Sequence, residues 1–228
     1  MANKSIDWED PGVSIGDDIT AASIAAAGYG TWTKYFGSGH SGTMDIQAPG
    51  WGGKALRLVT NNAVWTGMTG TTTFNFDSTS DDVTMVVRGG CQDRLTVIMH
   101  WDGLPAPAFP PNPKNGFSFE NRVSTNGLKI TRWSNGSFST VNSKTKATVD
   151  KNDFELKCVI KSNGDIEFWL DGTLELTGND TSIKSGGFGF YCFGALNTFA
   201  DDIVITQGGI VLPLSSKMGI ALGNGIGI

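Results

Sequence analysis

The sequence predicts an all-β chain folded as two antiparallel sheets packed face to face. Three observations predict it. Apolar and polar residues alternate with period two in the clearest segments, as in Phe154, Leu156, Cys158 and Ile160 against Glu155, Lys157 and Lys161, the pattern of a strand with one buried face. Asn-Gly, Asp-Gly and Gly-Gly pairs separate such runs roughly every eight to twelve residues, the spacing of a sandwich. No window of a dozen residues carries a helical period, and 31 of the 228 residues are glycine.

Taken in order, residues 1–50 read as an irregular opening with short strands. Trp8-Glu9-Asp10-Pro11-Gly12 reads as a turn. Residues 19–27 (ITAASIAAA) are alanine-rich but short, and read as a loop or a single helical turn. Residues 30–36 read as a first strand. Residues 55–60 (ALRLVT) follow, with Leu56 and Leu58 on one face, then residues 71–76. The run VTMVVR at 83–88 is apolar enough for a central strand. Residues 94–101, 116–120, 128–133 and 137–141 continue the series. From 154 the chain makes a strand, turns at Ser162-Asn163-Gly164-Asp165, and returns with Ile166, Phe168 and Leu170 inward and Trp169 outward. The Asn-Gly pair predicts a hairpin whose two central residues take positive φ. Asp171-Gly172 turns the chain again into 173–176. Gly186-Gly187 opens a strand at 188–193, and Asp201-Asp202 leads into one at 203–206. Residues 153–206 thus read as one antiparallel meander whose apolar face needs a second sheet.

That run carries a resemblance. The hairpin F-W-L-D-G-T-L, the segment GGFGFY at 186–191 and the segment FADDIVI at 199–205 resemble the closing strands of concanavalin A-like lectin/glucanase domains, including the laminin G-like branch. The resemblance implies a jelly-roll sandwich over residues 1–207, with residues 208–228 as an apolar extension. It also implies a family that is mostly carbohydrate-binding, with some glycosidases and many structural modules, so activity has to be argued from a site.

Composition narrows the function. The net charge is −5 and the 17 Lys and Arg are scattered, so no basic stripe awaits nucleic-acid phosphates. The first residues, MANKSIDWEDPG, lack the apolar core of a signal peptide, and no stretch of about 20 apolar residues predicts a membrane helix. The three cysteines, Cys91, Cys158 and Cys192, read as free buried thiols of a reducing compartment; a Cys158–Cys192 bridge is the alternative.

Two segments break the strand pattern. Between Asp102 and Asn115 lie five of the eight prolines, which excludes a central strand and predicts a stiff extended loop, with Phe109 in its middle and Trp101 at its base. Such a loop is either a ligand-contacting element or a lid whose Phe109 plugs the core. The tail GGIVLPLSSKMGIALGNGIGI holds one charged side chain, Lys217, and six glycines. Its Ile210, Val211, Leu212, Leu214, Met218, Ile220 and Leu222 are expected either to dock on other virion subunits or a second copy, or to pack back on the domain.

The catalytic motifs are missing. Glucanases of the resembled family place Glu-x-Asp-x-x-Glu on one strand; here Asp165-Ile166-Glu167 and Asp153-Phe154-Glu155 are the nearest approaches and each lacks the third acid. There is no Gly-x-Ser-x-Gly elbow. A non-enzymatic module is therefore expected. Sugar binding asks for aromatic faces and planar polar groups. The expected ligand residues are Trp101, Phe109, Trp133, Trp169, Arg94 and Arg122, with His100, Asp102 and Asn121 as further hydrogen-bonding groups; Trp32, Trp51 and Trp65 also lie near strand ends. No cofactor is expected, although the paired acids Asp17-Asp18, Asp81-Asp82 and Asp201-Asp202 are the places a calcium would sit. The expected role is a virion accessory protein of a tailed bacteriophage, in tail or capsid, with a lectin-like domain for cell-surface glycans and no nucleic-acid or membrane partner.

Overall fold

The computed structural model describes residues 2–36, 42–60, 66–70, 75–102, 114–146, 152–192 and 197–208. Phe109, Trp65 and the tail residues Ile210, Val211, Leu212, Leu214, Met218, Ile220 and Leu222 lie outside them.

The strands, in chain order, are β1 (Ala2–Ile6), β2 (Trp32–Phe36), β3 (Gly42–Gln47), β4 (Ala55–Thr60), β5 (Thr66–Gly70), β6 (Phe76–Asp77), β7 (Val83–Cys91), β8 (Arg94–Trp101), β9 (Asn115–Arg122), β10 (Gly127–Ser134), β11 (Ser137–Thr145), β12 (Phe154–Ile160), β13 (Asp165–Leu170), β14 (Thr173–Asn179), β15 (Ser185–Cys192) and β16 (Thr198–Gln207). Residues Ala22–Ala26 form one short helix, α1. The first sheet runs β14-β13-β12-β7-β16-β4-β3, with β1 also on β16; the second runs β11-β10-β9-β8-β15-β5-β2, with β6 also on β15. Every pairing among the described residues is antiparallel. This is the expected jelly-roll sandwich.

The core lies between the sheets. Phe154, Leu156, Cys158 and Ile160 of β12 face it, as do Ile166, Phe168 and Leu170 of β13. From the other side come Leu95, Val97 and Met99 of β8, and Phe117 and Phe119 of β9. Phe119 meets Phe168 edge to face across the interface, with centroids 5.7 Å apart. Each such buried side chain contributes about 1.5–3 kcal/mol, which is what joins two sheets of this size. β7 is central as expected, between β12 and β16. Cys158 is fully buried and free, so it makes no bridge to Cys192.

Four expectations need correction. The first strand is Ala2–Ile6, not the run near residue 32; it pairs with Ile203–Gln207 at the end of β16. Residues 153–206 are not one meander. β12, β13 and β14 are, but β15 crosses to the second sheet, where Phe188 and Phe190 face the core from the opposite side, and β16 returns to the first. An alternating pattern shows that one face is buried, not which sheet buries it. The Asn163-Gly164 turn also differs. Gly164 has φ +92°, but Asn163 is not left-handed. A four-residue loop closes there, with Gly164 N–H donating to Lys161 O and Lys161 N–H to Asp165 O. Two-residue hairpin turns with both φ positive occur instead at Asn135-Gly136 and Asp171-Gly172. Finally, Asp201 and Asp202 lie inside β16 rather than before it, at a bulge between Asp201 and Val204.

β7 and β16 run the length of the first sheet side by side. At one end Cys91 pairs with Thr198; at the other Val83 pairs with Gln207. Beyond that second end, Gly208 N–H donates to Asp82 O.

Candidate functional site

A concavity lies at the Cys91 end of β7, on the outer face of the first sheet. Four separate stretches build it. β7 ends in Gly89-Gly90-Cys91. Gly89 faces the core, where a β-carbon would strike Leu95 and Phe154. Gly90 faces outward and forms the floor. A β-carbon there would lie 2.5 Å from the Trp51 ring and 2.7 Å from the Asn152 carbonyl oxygen, so only glycine lets both approach. The β3–β4 loop folds Trp51 over this floor, with Gly52 N–H donating back to Pro49 O. Asn152 and Asp153 approach just before β12. Asn197 and Phe199 enter from the start of β16. The cavity measures about 380 Å³ and is lined by Gly50, Trp51, Gly90, Cys91, Gln92, Asn152, Asp153, Asn197 and Phe199. That falls within the roughly 300–1,000 Å³ of small-ligand sites.

One guanidinium holds the walls. Arg88 sits two residues before Gly90 on the same face. Its Nε and Nη2 donate to Asp153 Oδ1 and Oδ2 at 2.8 and 2.9 Å. Its Nη1 lies 3.9 Å from Asp202. Its carbon Cζ stands 5.1 Å from the Trp51 ring centroid, a cation–π contact. Trp51 in turn meets Phe199 edge to face at 6.0 Å and donates its Nε1–H to Asp201 Oδ2 at 3.5 Å. Asp201 is 5% exposed, and its other oxygen has no hydrogen-bond partner. Burial pushes its carboxyl up to about 7, and the neighbouring Asp202 and Glu9 charges push the same way. Asp202 is also raised by burial, with Arg88 pulling it back. The result is an aromatic wall in a cavity whose lining also includes Gln92, Asn152 and Asn197, residue types that suit ring stacking and hydroxyl bonding to a pyranose.

The structure does not bring the sequence-derived residues together. Trp133 lies on the outer face of the second sheet but is 3% exposed, its Nε1–H donating to Ser118 Oγ at 2.9 Å and its ring 5.4 Å from Phe138. Trp101 is 4% exposed. Arg94 is buried against Glu120 at 2.7 Å and Asp93 at 3.4 Å, and Arg122 stands 3.9 Å from Asp93. Trp169 is on the other sheet, half-buried, with Lys157 Nζ over its ring at 4.7 Å and its indole N–H on Glu167. Asn121 is fully buried in one row with Leu95 and Leu128, and His100 is buried too. Asp102 binds the backbone N–H of Asn115. The paired acids are also engaged. Asp17 accepts from Ser14 and Ser23, Asp18 pairs with Lys34, and Asp82 accepts from Ser162. Among the described residues no group of three or more His, Cys, Asp or Glu is placed to hold a metal.

Sequence reasoning missed Arg88, Gly90, Gln92, Asn152, Asn197 and Phe199. Only the Gly89-Gly90 pair inside an apolar strand signalled the place, because glycine within a strand marks a close approach.

No family model matches the chain, and no curated protein matches it significantly. Solved structures do. A protein of unknown function with a galectin-like fold from Bacillus subtilis superposes with a TM-score of 0.61 at 12% identity, over 83% of this chain and 93% of that one. The carbohydrate-binding module CBM66 from Bacillus subtilis gives 0.56 at 15%, over 78% and 95%. A carbohydrate esterase of the Shiga toxin-encoding bacteriophage phi24B gives 0.52 at 10%, over 91% and 100%. The chain has a concanavalin A-like lectin fold. At these identities the likeness establishes the architecture of the lectin-like domain and nothing about its ligand.

Proposed function

We propose that this lectin-like domain is a non-enzymatic glycan-binding module and that the ligand sits against Trp51 and Phe199. The observation that carries the proposal is the cavity over Gly90, where two aromatic rings meet and Gln92, Asn152 and Asn197 complete the lining. Binding rather than cleavage is favoured because Asp153, the carboxylate lining the cavity, spends both oxygens on Arg88. The carbohydrate-binding module among the similar structures supports the ligand class. The test is a glycan array including bacterial cell-wall polysaccharide, run with the wild type and Trp51→Ala. Losing a stacking indole should lower affinity at least tenfold, roughly 1.4 kcal/mol or more. A wild type that binds nothing, or a variant that binds equally well, refutes the proposal.

The setting we propose is a bacteriophage particle, with residues 208–228 as the anchor. A phage protein among the similar structures and the apolar composition of the tail support it. Deleting residues 209–228 should leave glycan binding intact and abolish incorporation into particles. Incorporation of the truncated chain, followed by immunoblotting of purified virions, would refute the anchor.

A further inference from the structure

Behind the aromatic wall of the cavity stands a buried carboxyl group. Asp201 lies on β16, two residues beyond Phe199, at the bulge where the register with β7 shifts. It is 5% exposed, and its Oδ2 accepts the Trp51 indole N–H at 3.5 Å. The same indole rests over Gly90, meets Phe199 edge to face and carries the Arg88 guanidinium on its ring. Those contacts give the ring a place; the hydrogen bond fixes which edge of it points inward. The backbone constrains it little. Trp51 stands between Gly50 and the pair Gly52-Gly53, whose φ values are +93° and +73°.

Asp201 keeps a proton near neutrality, because burial holds its carboxyl up to about 7. Charged groups of the neighbouring elements face it. Asp202 on β16 and Glu9 of the N-terminal segment push it the same way. Arg88 of β7 interacts with it and with Asp153 and Asp202. Asp7 acts on Asp202, and Glu155 of β12 pairs with Arg88 across the sheet.

When the proton leaves, a neutral acceptor becomes a charged one. Charge-assisted hydrogen bonds are shorter than neutral ones and about twice as strong. A contact of 3.5 Å has room to shorten toward about 2.9 Å. The indole is then drawn onto Asp201, and the surface a sugar would stack on is fixed before the sugar arrives. On the reading that this cavity binds a glycan, we infer that Asp201 is a positioning residue acting through Trp51, and that the ionised form of Asp201 is the one that binds glycan tightly. A role in stability alone would carry the opposite sign. Ionising a buried carboxyl weakens the fold, so a merely structural Asp201 would loosen the cavity as pH rises. A positioning Asp201 tightens it. By reciprocity a bound glycan favours the ionised form, so binding releases protons.

Two measurements on the full chain test this. The first needs no ligand. The indole N–H resonances of isotope-labelled protein are followed from pH 5.5 to 8.5, with the Trp51 signal assigned as the one missing from Trp51→Phe. The Trp51 proton should move downfield with a midpoint near the Asp201 value of about 7, and should not titrate in Asp201→Asn. The second is the glycan array with bacterial cell-wall polysaccharide, read at pH 5.5 and 8.5. Wild-type affinity should be about fivefold higher at pH 8.5, the difference between a neutral and a charge-assisted hydrogen bond. Asp201→Asn keeps an oxygen for the indole and should bind with the acid-side affinity at both pH values. Trp51→Phe keeps a stacking ring without the donor and should also lose the pH dependence, whereas Asp202→Asn should retain it. A Trp51 resonance that stays in place, an affinity that is flat or falls with pH, or a pH dependence that survives Asp201→Asn or vanishes in Asp202→Asn overturns the inference and leaves glycan binding standing. An array blank at both pH values refutes the glycan reading, and the inference falls with it.

Discussion

At the scale of single residues, Gly90 decides whether the cavity exists. Replacing a strand glycine by alanine ordinarily stabilises, because the unfolded chain loses freedom. Here the added methyl would press on the Trp51 ring and on a backbone carbonyl that cannot swing aside. We expect Gly90→Ala to cost about 1–3 kcal/mol in urea unfolding and to lower glycan affinity about as much as Trp51→Ala does. A variant more stable than wild type, with unchanged affinity, would show that the indole does not rest on this floor. Gly89 beside it answers to the core, so the two glycines of one dipeptide serve opposite faces of the sheet. Nothing in the sequence distinguishes them, because which face a residue occupies follows from register.

Elements were legible where local chemistry decides them. Alternation at 154–170 places Phe168 in the core and leaves Trp169 outside, as found. Asp171-Gly172 closes a two-residue hairpin because both residues tolerate positive φ. β7 is recognisable as central because its outward residues Val86 and Thr84 are also buried. Elements decided by distant partners were not legible. α1 forms over five residues within the 19–27 run that reads as a loop or a single helical turn; it has no side-chain N-cap, and Ile24 in the core decides for the turn. β15 changes sheets with no local mark. The cavity is hardest of all to read, because Trp51, Gly90, Asn152 and Phe199 are separated by dozens of residues and only the register of β7 with β12 and β16 gathers them. Position near loops and strand ends singled out Trp101 and Trp133 in the sequence, and in the fold they are 4% and 3% exposed.

For the molecule as a whole, two buried groups set opposing dependences on pH. Folded Asp201 retains its proton up to about 7, whereas an unfolded aspartate loses it near 3.8. The folded state therefore binds more protons in that window, and stability falls as pH rises through it. Asp202 and Glu155, also raised by burial, act in the same sense. His100 acts oppositely. Burial pushes its folded value down to about 4 from 6.5, so stability falls as pH falls through that range. The two slopes overlap and partly cancel. Asp201→Asn removes one of them and keeps an oxygen for the Trp51 indole. Thermal unfolding of this variant should rise more steeply between pH 4 and 6.5 than the wild type and exceed it at pH 8. A profile parallel to the wild type would refute the role given to Asp201.

β16 begins at the cavity, with Asn197 just before it and Phe199 its second residue, and ends at Gln207, next to Gly208. Its neighbour β7 spans the same distance, about 27 Å at 3.3–3.4 Å per residue. Gly208 and the mouth of the cavity thus occupy opposite poles of a single stiff strut, so the anchor proposed above would hold the domain at the pole away from its opening. A copy held from beyond Gly208 would aim its opening away from whatever holds it, and a ring or row of such copies would present many openings on one outward front, where weak sugar contacts multiply into firm adhesion.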